Sequence, residues 1–171
     1  MTGLTPDTTI LILTWNARHL LRACLESLFA QDYPRFTVMV LDNDSTDGTP
    51  DWVRTHYPAV QVVENGCNLG FAAGNNVGLR QIDTPFVVLV NPDVELAPDW
   101  LTQLLAPMIQ DATIGVAGCK VYEPDGRTLQ HAGGYITFPQ ALPGHHGLGE
   151  VDTAQFDAAC DVEYVIGAAF A

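Results

Sequence analysis

Short apolar runs that alternate with helix-like segments constrain the fold of this chain more than any other feature. The runs cover residues 10–13, 36–41, 60–63, 86–90 and 114–120. Runs that are apolar almost throughout are typical of strands buried on both faces, as in parallel sheets. Strands separated by helices need crossover connections. The sequence therefore predicts an α/β fold with a mostly parallel sheet flanked by helices.

The first two helices are predicted from their caps and from apolar side chains at helical spacing. One covers residues 17–30, with Asn16 as its N-cap. The next has Thr49 as N-cap and Pro50 as its first helical residue, and it runs to about Tyr57.

Two further helices are predicted after the third and fourth runs. One covers residues 71–81 despite two internal glycines, and the other covers residues 98–110. Pro107 is expected to end the latter helix early, because proline removes a backbone donor and crowds the preceding turn.

The last third of the sequence has a different pattern. The turn signal at residues 123–126 has strand-like residues on both sides, which predicts a hairpin. Residues 133–149 are rich in Gly, Pro and His and are predicted as a mobile loop. The apolar segment 164–171 stops without a cap or closing turn, so we expect an incomplete C-terminal part.

The net charge of −13 excludes one class of partner and suggests another. Lys120 is the only lysine and there are six arginines, too few for the basic face that a nucleic-acid-binding protein needs. If the ligand carries phosphate, a divalent cation held by carboxylates can supply the counter-charge.

Compartment and thiol state are predicted from absences in the sequence. No apolar run approaches the roughly 20 residues that span a bilayer, and residues 1–8 lack the basic start of a secretory signal. We expect a cytoplasmic protein. The cysteines have no CxxC spacing and are expected to be free thiols; they are Cys24, Cys67, Cys119 and Cys160.

Polar segments follow four of the predicted strands. They cover residues 14–16, 42–47, 65–70 and 91–95. In open parallel sheets, ligands bind beyond the carboxyl ends of the strands. The four segments are therefore predicted to meet at one edge of the sheet and to form the site.

Asn91-Pro92-Asp93 follows the most apolar run, with Glu95 close by. Mg²⁺ prefers oxygen ligands and often takes one or two carboxylates together with substrate phosphates. A metal-binding carboxylate at Asp93 and a solvated turn are equally compatible with this segment alone.

Two other polar segments are also ambiguous when taken singly. Residues 42–48 can form a turn and helix cap, or can place a carboxylate at Asp42 for a base N–H or a ribose hydroxyl. Small residues in the segment 68–76 let backbone N–H groups approach an anion, but close helix packing explains Gly74 equally well.

Histidines and tryptophans add one further candidate. His131, His145 and His146 lack the spacing of a metal site and are interpreted as ordinary loop histidines. Trp15 is the tryptophan predicted to lie at the sheet edge, where an exposed ring can contact a ligand.

Four of these segments, in their order along the chain, closely resemble family-2 glycosyltransferases, and the rhamnosyltransferase-like branch is the nearest in style. The segments are Ile10-Leu-Ile-Leu-Thr-Trp-Asn16, Leu41-Asp-Asn-Asp-Ser-Thr-Asp-Gly48, Asn68-Leu-Gly-Phe-Ala-Ala-Gly-Asn-Asn76 and Val90-Asn-Pro-Asp-Val-Glu-Leu96. Pro124-Asp-Gly-Arg127 and Val165-Ile-Gly-Ala-Ala169 resemble the same branch.

The resemblance implies a GT-A, Rossmann-like fold and an inverting hexosyltransferase that uses a UDP- or dTDP-linked sugar. It implies a nucleotide-sugar-binding core over residues 9–120, preceded by an extension over 1–8 and followed by the start of an acceptor-side region over 121–171. The implied donor-binding residues are Thr14, Trp15, Asn16, Asp42, Asp44, Asn68, Gly70 and Asn91.

For the metal, the resemblance implies Mg²⁺ or Mn²⁺ bound by Asp93. Asn91 and Asp93 match the ends of the family's DxD motif, so one of its two carboxylates is replaced by an amide. The family's acidic catalytic base follows the Gly-Ala-Ala stretch, and no residue of this chain matches it. We therefore expect donor binding with poor or absent transfer.

The implied partners are the nucleotide sugar and a glycan or lipid-linked acceptor, with peripheral contact to the inner face of the membrane through that acceptor. Two alternatives remain at this point. A sugar-phosphate nucleotidyltransferase shares the nucleotide site and the metal carboxylate, but needs a Gly-rich basic loop after the first strand. A non-catalytic nucleotide- or glycan-binding module is compatible with the unassigned base.

Overall fold

The structure, a computed structural model, describes residues 5–171, so part of the predicted N-terminal extension lies outside it. The helices are α1 (Arg18–Phe29), α2 (Thr49–His56), α3 (Gly70–Leu79) and α4 (Trp100–Gln110). The strands are β1 (Thr8–Thr14), β2 (Phe36–Asp42), β3 (Gln61–Glu64), β4 (Phe86–Val90), β5 (Val121–Tyr122), β6 (Leu129–His131), β7 (Gly134–Thr137), β8 (Leu142–His145) and β9 (Ala169–Phe170).

The central sheet has five strands in the order β3-β2-β1-β4-β9. The first four are mutually parallel, and β9 pairs antiparallel with β4 at the sheet edge. The chain leaves β1 toward β2 on one side and returns through β4 on the other. The predicted α/β fold with a mostly parallel sheet is confirmed.

Helices cover both faces of this sheet. The larger core combines alternate side chains of β1, β2 and β4 with the buried faces of α1 and α4 and with Val53 of α2. The other face has a smaller cluster of Leu11, Met39 and Leu41, and α3 approaches it where Gly78 lies against Leu11 and Leu41. A Cβ atom on Gly74 would lie 2.7 Å from Leu13 Cδ1, so this glycine allows the close approach of α3 to the sheet.

Helix starts differ from their predicted caps. The N-cap of α1 is Ala17, and Asn16 lies just before it in the left-handed region at φ 52°. The N-cap of α2 is Gly48, which makes Thr49 the first helical residue. Both predicted caps are wrong because Asn16 and Thr49 hydrogen-bond to the loop after β2 instead of to their own helices.

The proline prediction for the fourth helix is also wrong. Pro107 lies inside α4, which continues to Gln110. One proline removes only one helical hydrogen bond, and the buried side chains of Leu101, Leu104 and Leu105 hold the helix against the sheet. Tertiary packing outweighs the local break.

The predicted strand over residues 114–120 does not form. Only Gly118 bridges Phe170, and Ala117 exchanges two backbone hydrogen bonds with Ala171. The sheet position next to β4 belongs to β9. The segment 114–120 therefore lies outside β9 and pairs with residues 170–171, and the part of the chain after residue 121 contributes a strand to the central sheet.

Two hairpins follow the sheet. The predicted hairpin is confirmed as β5 and β6, with Gly126 N–H donating to Glu123 O across the turn. The loop predicted over residues 133–149 is wrong in its local structure, because β7 and β8 form a second hairpin there. The glycines that suggested a loop instead leave room for rings: a Cβ on Gly134 would lie 2.3 Å from the Tyr164 ring.

The structure also shows the state of the cysteines and the placement of the histidines. The four cysteines are free, as predicted. His131 and His145 lie in strands, which corrects their placement in a loop, and their Nδ1 atoms are 2.7 Å apart. Within residues 5–171, no helix has both the length and the apolarity needed to cross a bilayer.

Candidate functional site

The loops that follow the first four strands lie along one edge of the sheet. Because the four strands are parallel, their carboxyl ends point the same way. The chain after β1 leads to β2 on one side, and the chain after β4 leads to β9 on the other, so the strand order changes direction between β1 and β4. Ligands of open α/β sheets bind at such a switch point.

Thr14 and Asp42 end adjacent strands and are partners in the sheet register. Both are buried, with 2% and 1% of their surface exposed. Asp42 Oδ2 accepts the Ser45 backbone N–H at 2.8 Å, but Oδ1 and the Thr14 hydroxyl have no partner within the described residues. Buried polar atoms without partners are rare and costly. The edge thus holds an acceptor and a hydroxyl that a ligand can satisfy.

The loop after β1 is braced by the loop after β2. Asn16 N–H donates to Ser45 Oγ at 2.8 Å, and the Thr46 N–H donates to Asn16 Oδ1 at 2.8 Å. Arg18 N–H donates to Asp47 Oδ2 at 3.1 Å. The carboxylate of Asp47 therefore occupies the positive end of α1 in place of a local cap.

Asp47 is held as an anion in this position. Burial opposes its ionisation, but hydrogen bonds from the Thr49 hydroxyl and from the backbone N–H groups of Arg18 and Thr49 outweigh burial, so the pKa of Asp47 is lowered. A carboxylate that accepts several N–H and O–H donors prefers its charged form. The two loops keep this contact at neutral pH.

The loops after β2 and β3 are joined by asparagine side chains. Asn65 Nδ2 donates to Asn43 Oδ1 at 2.8 Å, and Asn43 Nδ2 lies 3.3 Å from Asn68 Oδ1 and 3.4 Å from Gly70 O. Asn68 Oδ1 also accepts the Gly70 N–H at 2.9 Å. Asn43 is buried, whereas Asn68 and Gly70 are exposed at the rim of the site.

Trp15 and Asp44 present exposed groups at the same edge. The Trp15 side chain is 56% exposed and offers an apolar ring to solvent between the first two loops. Asp44 is exposed and adopts a left-handed conformation at φ 66° in the turn after β2. These residues border the buried Thr14–Asp42 pair.

Asn91 is fixed by its backbone at the end of β4. Its N–H donates to Ala168 O at 2.8 Å, and its carbonyl faces the Cys24 thiol with Sγ 3.6 Å from the oxygen. Burial raises the pKa of Cys24 to about 12, and the Asp93 carboxylate adds to that rise. Cys24 is therefore a neutral thiol donor beneath the loop at neutral pH.

Asp93 is exposed two residues further on, and its carboxylate makes no hydrogen bond or ion pair with residues 5–171. Those residues contain no cluster of three metal-ligating side chains. One free carboxylate beside an amide fits a hard cation that takes its other oxygens from phosphates and water. The residues present therefore fit Mg²⁺ or Mn²⁺ bound together with a diphosphate.

The structure brings the predicted site residues to one edge and adds others. Sequence reasoning assigned no role to Asn43, Ser45, Asp47 or Asn65, although all lie within the polar segments. Their contacts with other loops join residues 22 to 29 positions apart, which local patterns do not reveal. The available signal was a run of Asn, Asp, Ser and Thr residues, which favour helix caps, much longer than a single cap requires.

The part of the chain that carries these motifs matches a known protein family. The sequence model of a family described as Glycosyl transferase family 2 matches residues 9–154. The N-acetylglucosaminyl-diphospho-decaprenol L-rhamnosyltransferase of Mycobacterium tuberculosis is 30% identical over 125 residues, which cover 67% of this chain and 40% of the relative.

Solved structures show the same fold. A mannosyltransferase from Pyrobaculum calidifontis in complex with GDP-Man and Mn²⁺ is 33% identical at a TM-score of 0.63, over 70% of this chain and 36% of that one. S. aureus TarS in complex with UDP is 28% identical at a TM-score of 0.62, over 71% of this chain and 37% of that one.

The chain thus spans less than half the length of each of these three relatives. The shared part contains the four parallel strands and the loops at their carboxyl ends. The structure is that of a GT-A glycosyltransferase domain, and the chain belongs to glycosyl transferase family 2.

Proposed function

We propose that this chain forms the donor-binding part of a glycosyltransferase that uses a UDP- or dTDP-linked sugar. The observation that carries the proposal is the unpartnered Oδ1 of buried Asp42 beside the unpartnered hydroxyl of Thr14. Uracil and thymine each carry a ring N–H between two carbonyl groups. Asp42 accepts that N–H, and the Thr14 hydroxyl donates to a neighbouring carbonyl.

The remaining loops complete the donor site. The exposed ring of Trp15 packs against the base, and Asn16 keeps the first loop in place through its two contacts with the loop after β2. Asp44 is near the ribose, and Asn68 and Gly70 line the sugar side. These roles rest on the shared edge and on the resemblance to the family.

Asp93 and the amide oxygen of Asn91 are proposed to hold Mg²⁺ or Mn²⁺ against the diphosphate. Such a cation, when bound, neutralises the charge that develops on the leaving nucleoside diphosphate. The net charge of −13 makes this role important, because the chain has few cationic side chains to perform it. The GDP-Man complex of the Pyrobaculum mannosyltransferase contains Mn²⁺, which supports the choice of metal.

The acceptor is proposed to be a glycan or a lipid-linked sugar, attacked at the donor's anomeric carbon with inversion. The mycobacterial relative's name specifies N-acetylglucosaminyl-diphospho-decaprenol, which supports a lipid-linked acceptor and contact with the membrane through it. Family membership favours glycosyl transfer over the nucleotidyltransferase alternative. Proton NMR of the transferred sugar's anomeric position tests inversion.

Calorimetry with UDP, dTDP and GDP, with and without Mn²⁺, tests the donor site. Asp42→Asn keeps an acceptor for Ser45 N–H but places an amide where the free oxygen was. We expect UDP or dTDP affinity to fall about 10- to 100-fold, as for loss of a charged hydrogen bond. Asp51→Ala removes an exposed carboxylate of α2 and serves as the control. Unchanged affinity in Asp42→Asn, or a preference for GDP, contradicts the proposed base contact.

The metal role has its own variant. Asp93→Ala is expected to abolish the increase in nucleotide affinity that Mn²⁺ produces, while the affinity measured without metal stays within about twofold of wild type. Glu95→Ala removes a neighbouring exposed carboxylate and is the control. An undiminished Mn²⁺ effect in Asp93→Ala rejects the role of this carboxylate.

A further inference from the structure

One face of α1 lies alongside the loop that carries Asp93. This loop runs from the end of β4 to the start of α4 and has no regular secondary structure over residues 91–99. Three side chains in or just after α1 contact this loop at successive positions along it. They are Cys24, Ser27 and Gln31. Cys24 and Ser27 are three residues apart on one face of α1, and Gln31 follows two residues after the helix ends.

Ser27 is the central contact. Its hydroxyl accepts the Leu96 N–H at 3.1 Å and donates to Cys24 O at 2.9 Å. Leu96 is buried at 9% exposure, so its N–H has little access to water. Removing the hydroxyl therefore leaves a buried donor without a partner.

Gln31 holds the far end of the same loop. Its Nε2 donates to Ala97 O at 2.7 Å and to Ser27 O at 3.2 Å, and its Oε1 accepts the Leu101 N–H at 2.9 Å. One side chain thus joins the end of α1, the loop and the first turn of α4. The asparagine before Asp93 is fixed separately by Ala168 and Cys24.

The Asp93 carboxylate itself has no hydrogen-bond or ion-pair partner within residues 5–171, so its position depends on the backbone of this loop. A carboxylate on an unrestrained loop loses conformational freedom when it binds a metal, and that loss weakens binding. A loop already held in place does not incur the full loss. The supports therefore favour metal binding without touching the metal.

We propose that Ser27 and Gln31 are positioning residues that fix the loop of residues 91–99, which carries Asn91 and Asp93, for binding of a divalent cation with the donor diphosphate. This inference rests on the proposed function of Asp93. Both residues act through the loop backbone and touch neither donor nor metal. A role confined to packing α1 against α4 predicts lower thermal stability in their variants and no change in metal affinity.

The test measures Mn²⁺ binding by electron paramagnetic resonance in the presence of saturating UDP, with thermal unfolding and metal-free UDP affinity recorded for each protein. In Ser27→Ala and Gln31→Ala we expect the Kd for Mn²⁺ to rise about three- to tenfold, as loss of one or two hydrogen bonds predicts. Metal-free UDP affinity is expected to stay within about twofold of wild type.

Two further variants serve as controls. Ser27→Thr keeps the hydroxyl and is expected to restore Mn²⁺ affinity. Gln81→Ala removes a glutamine that hydrogen-bonds only to Val77 O of its own helical segment, and it is expected to match wild type. All measurements are made well below each protein's unfolding midpoint, so that loss of folded protein does not mimic loss of affinity.

The outcomes separate the two proposals. If wild type shows no UDP-dependent Mn²⁺ binding, or Asp93→Ala binds as wild type does, the proposed function of Asp93 falls and this inference with it. If Asp93→Ala loses Mn²⁺ binding while Ser27→Ala and Gln31→Ala keep wild-type affinity, only the positioning role is overturned. Loss of stability with unchanged Mn²⁺ affinity also overturns it.

Discussion

The sheet half, residues 8–110, and the hairpin half, residues 121–164, are held together by different forces. The sheet half contains nearly all of the buried apolar side chains, whereas Leu129 is the one large apolar side chain fully buried among the described residues of the hairpin half. The hairpin half instead exposes large apolar side chains, which are Tyr122, Tyr135, Phe138, Leu142, Leu148 and Val151.

Polar contacts and ring–ring packing take the place of an aliphatic core in the hairpin half. Lys120, just before it, pairs with Asp152 at 2.7 Å and Asp157 at 2.5 Å. His131 is 1% exposed and hydrogen-bonded to His145. The comparison teaches that the sheet beneath the candidate site rests mainly on apolar burial, which pH hardly affects, while the hairpins rest more on groups that titrate.

The largest expected effect comes from the sheet core. Leu25→Ala removes a fully buried side chain of α1, and we expect it to lower the free energy of unfolding by about 2–5 kcal/mol. Leu142→Ala, at a position 59% exposed in β8, is the matched control, and we expect a change within about 0.5 kcal/mol. Urea unfolding measures both. Equal losses would show that the hairpins carry a core of their own.

Acid is expected to loosen the hairpins before the sheet. Burial lowers the pKa of His131, and positive charge on His145 and His146 lowers it further. The folded state therefore favours neutral His131, and the unfolded chain binds more protons below its ordinary pKa of about 6.5. The stabilisation is fully present above that value and is lost as pH falls from there toward the lowered folded pKa.

Hydrogen–deuterium exchange, corrected for the intrinsic effect of pH, measures this change. Between pH of about 7.5 and about 5.5 we expect faster exchange in β6, β7 and β8, with β1–β4 as the internal reference. His131→Phe removes the titrating ring and is expected to abolish the difference between the two pH values. Uniform loosening of both halves would remove the contrast between them.

The smallest expected effect is at Lys120. Lys120→Met removes both ion pairs, and we expect faster amide exchange over residues 150–157 with little change in the unfolding of the sheet half. Arg22→Met breaks an exposed pair with Glu26 and is the control, with no local change expected. If the amide protection of residues 150–157 is unchanged in Lys120→Met, the two ion pairs do not stabilise this segment.

The pKa of Asp152 predicts the pH range in which acid breaks its ion pair with Lys120. The hydrogen bonds from Lys120 and Tyr122 lower the pKa of Asp152 to about 2. A carboxylate with a lowered folded pKa contributes stability above its ordinary value of about 4 and loses it as pH falls below that value. Acid loosening of the hairpin half is therefore expected in two steps, first at His131 and later at Asp152.

Local patterns were sufficient to predict the fold of the sheet half. The runs at 10–13, 36–41, 60–63 and 86–90 overlap β1, β2, β3 and β4, as expected for apolar runs in a covered parallel sheet. β3, at the sheet edge, is only half-buried. The run at 114–120 is largely apolar as well, but it contains Gly115, Gly118 and Lys120, and it is not a strand. The position beside β4 is occupied by β9. The sequence of neither segment alone shows that the two compete for one sheet edge.

For the candidate site, the placement of its residues at the sheet edge was predictable, whereas the contacts between its loops were not. The rule that ligands bind beyond parallel strands located Asp42 and Asn91–Asp93 at one edge, where the structure places them. It could not show that Asp47 replaces the cap of α1, or that Ser27 supports the loop after β4. Both contacts join elements far apart in sequence, and capping preferences consider only neighbours.

The antiparallel strand β9 bears on how this protein can be divided. It is only two residues long, and it pairs with Leu89 and Val90 at the end of β4 from which the loop of Asp93 leaves. A fragment cut at residue 120 would leave the backbone N–H and C=O groups of β4 open along an apolar strand. Open apolar edges recruit strands from other molecules. Domain swaps or crystallisation fragments that omit residues 169–170 are therefore expected to aggregate, however complete their donor motifs are.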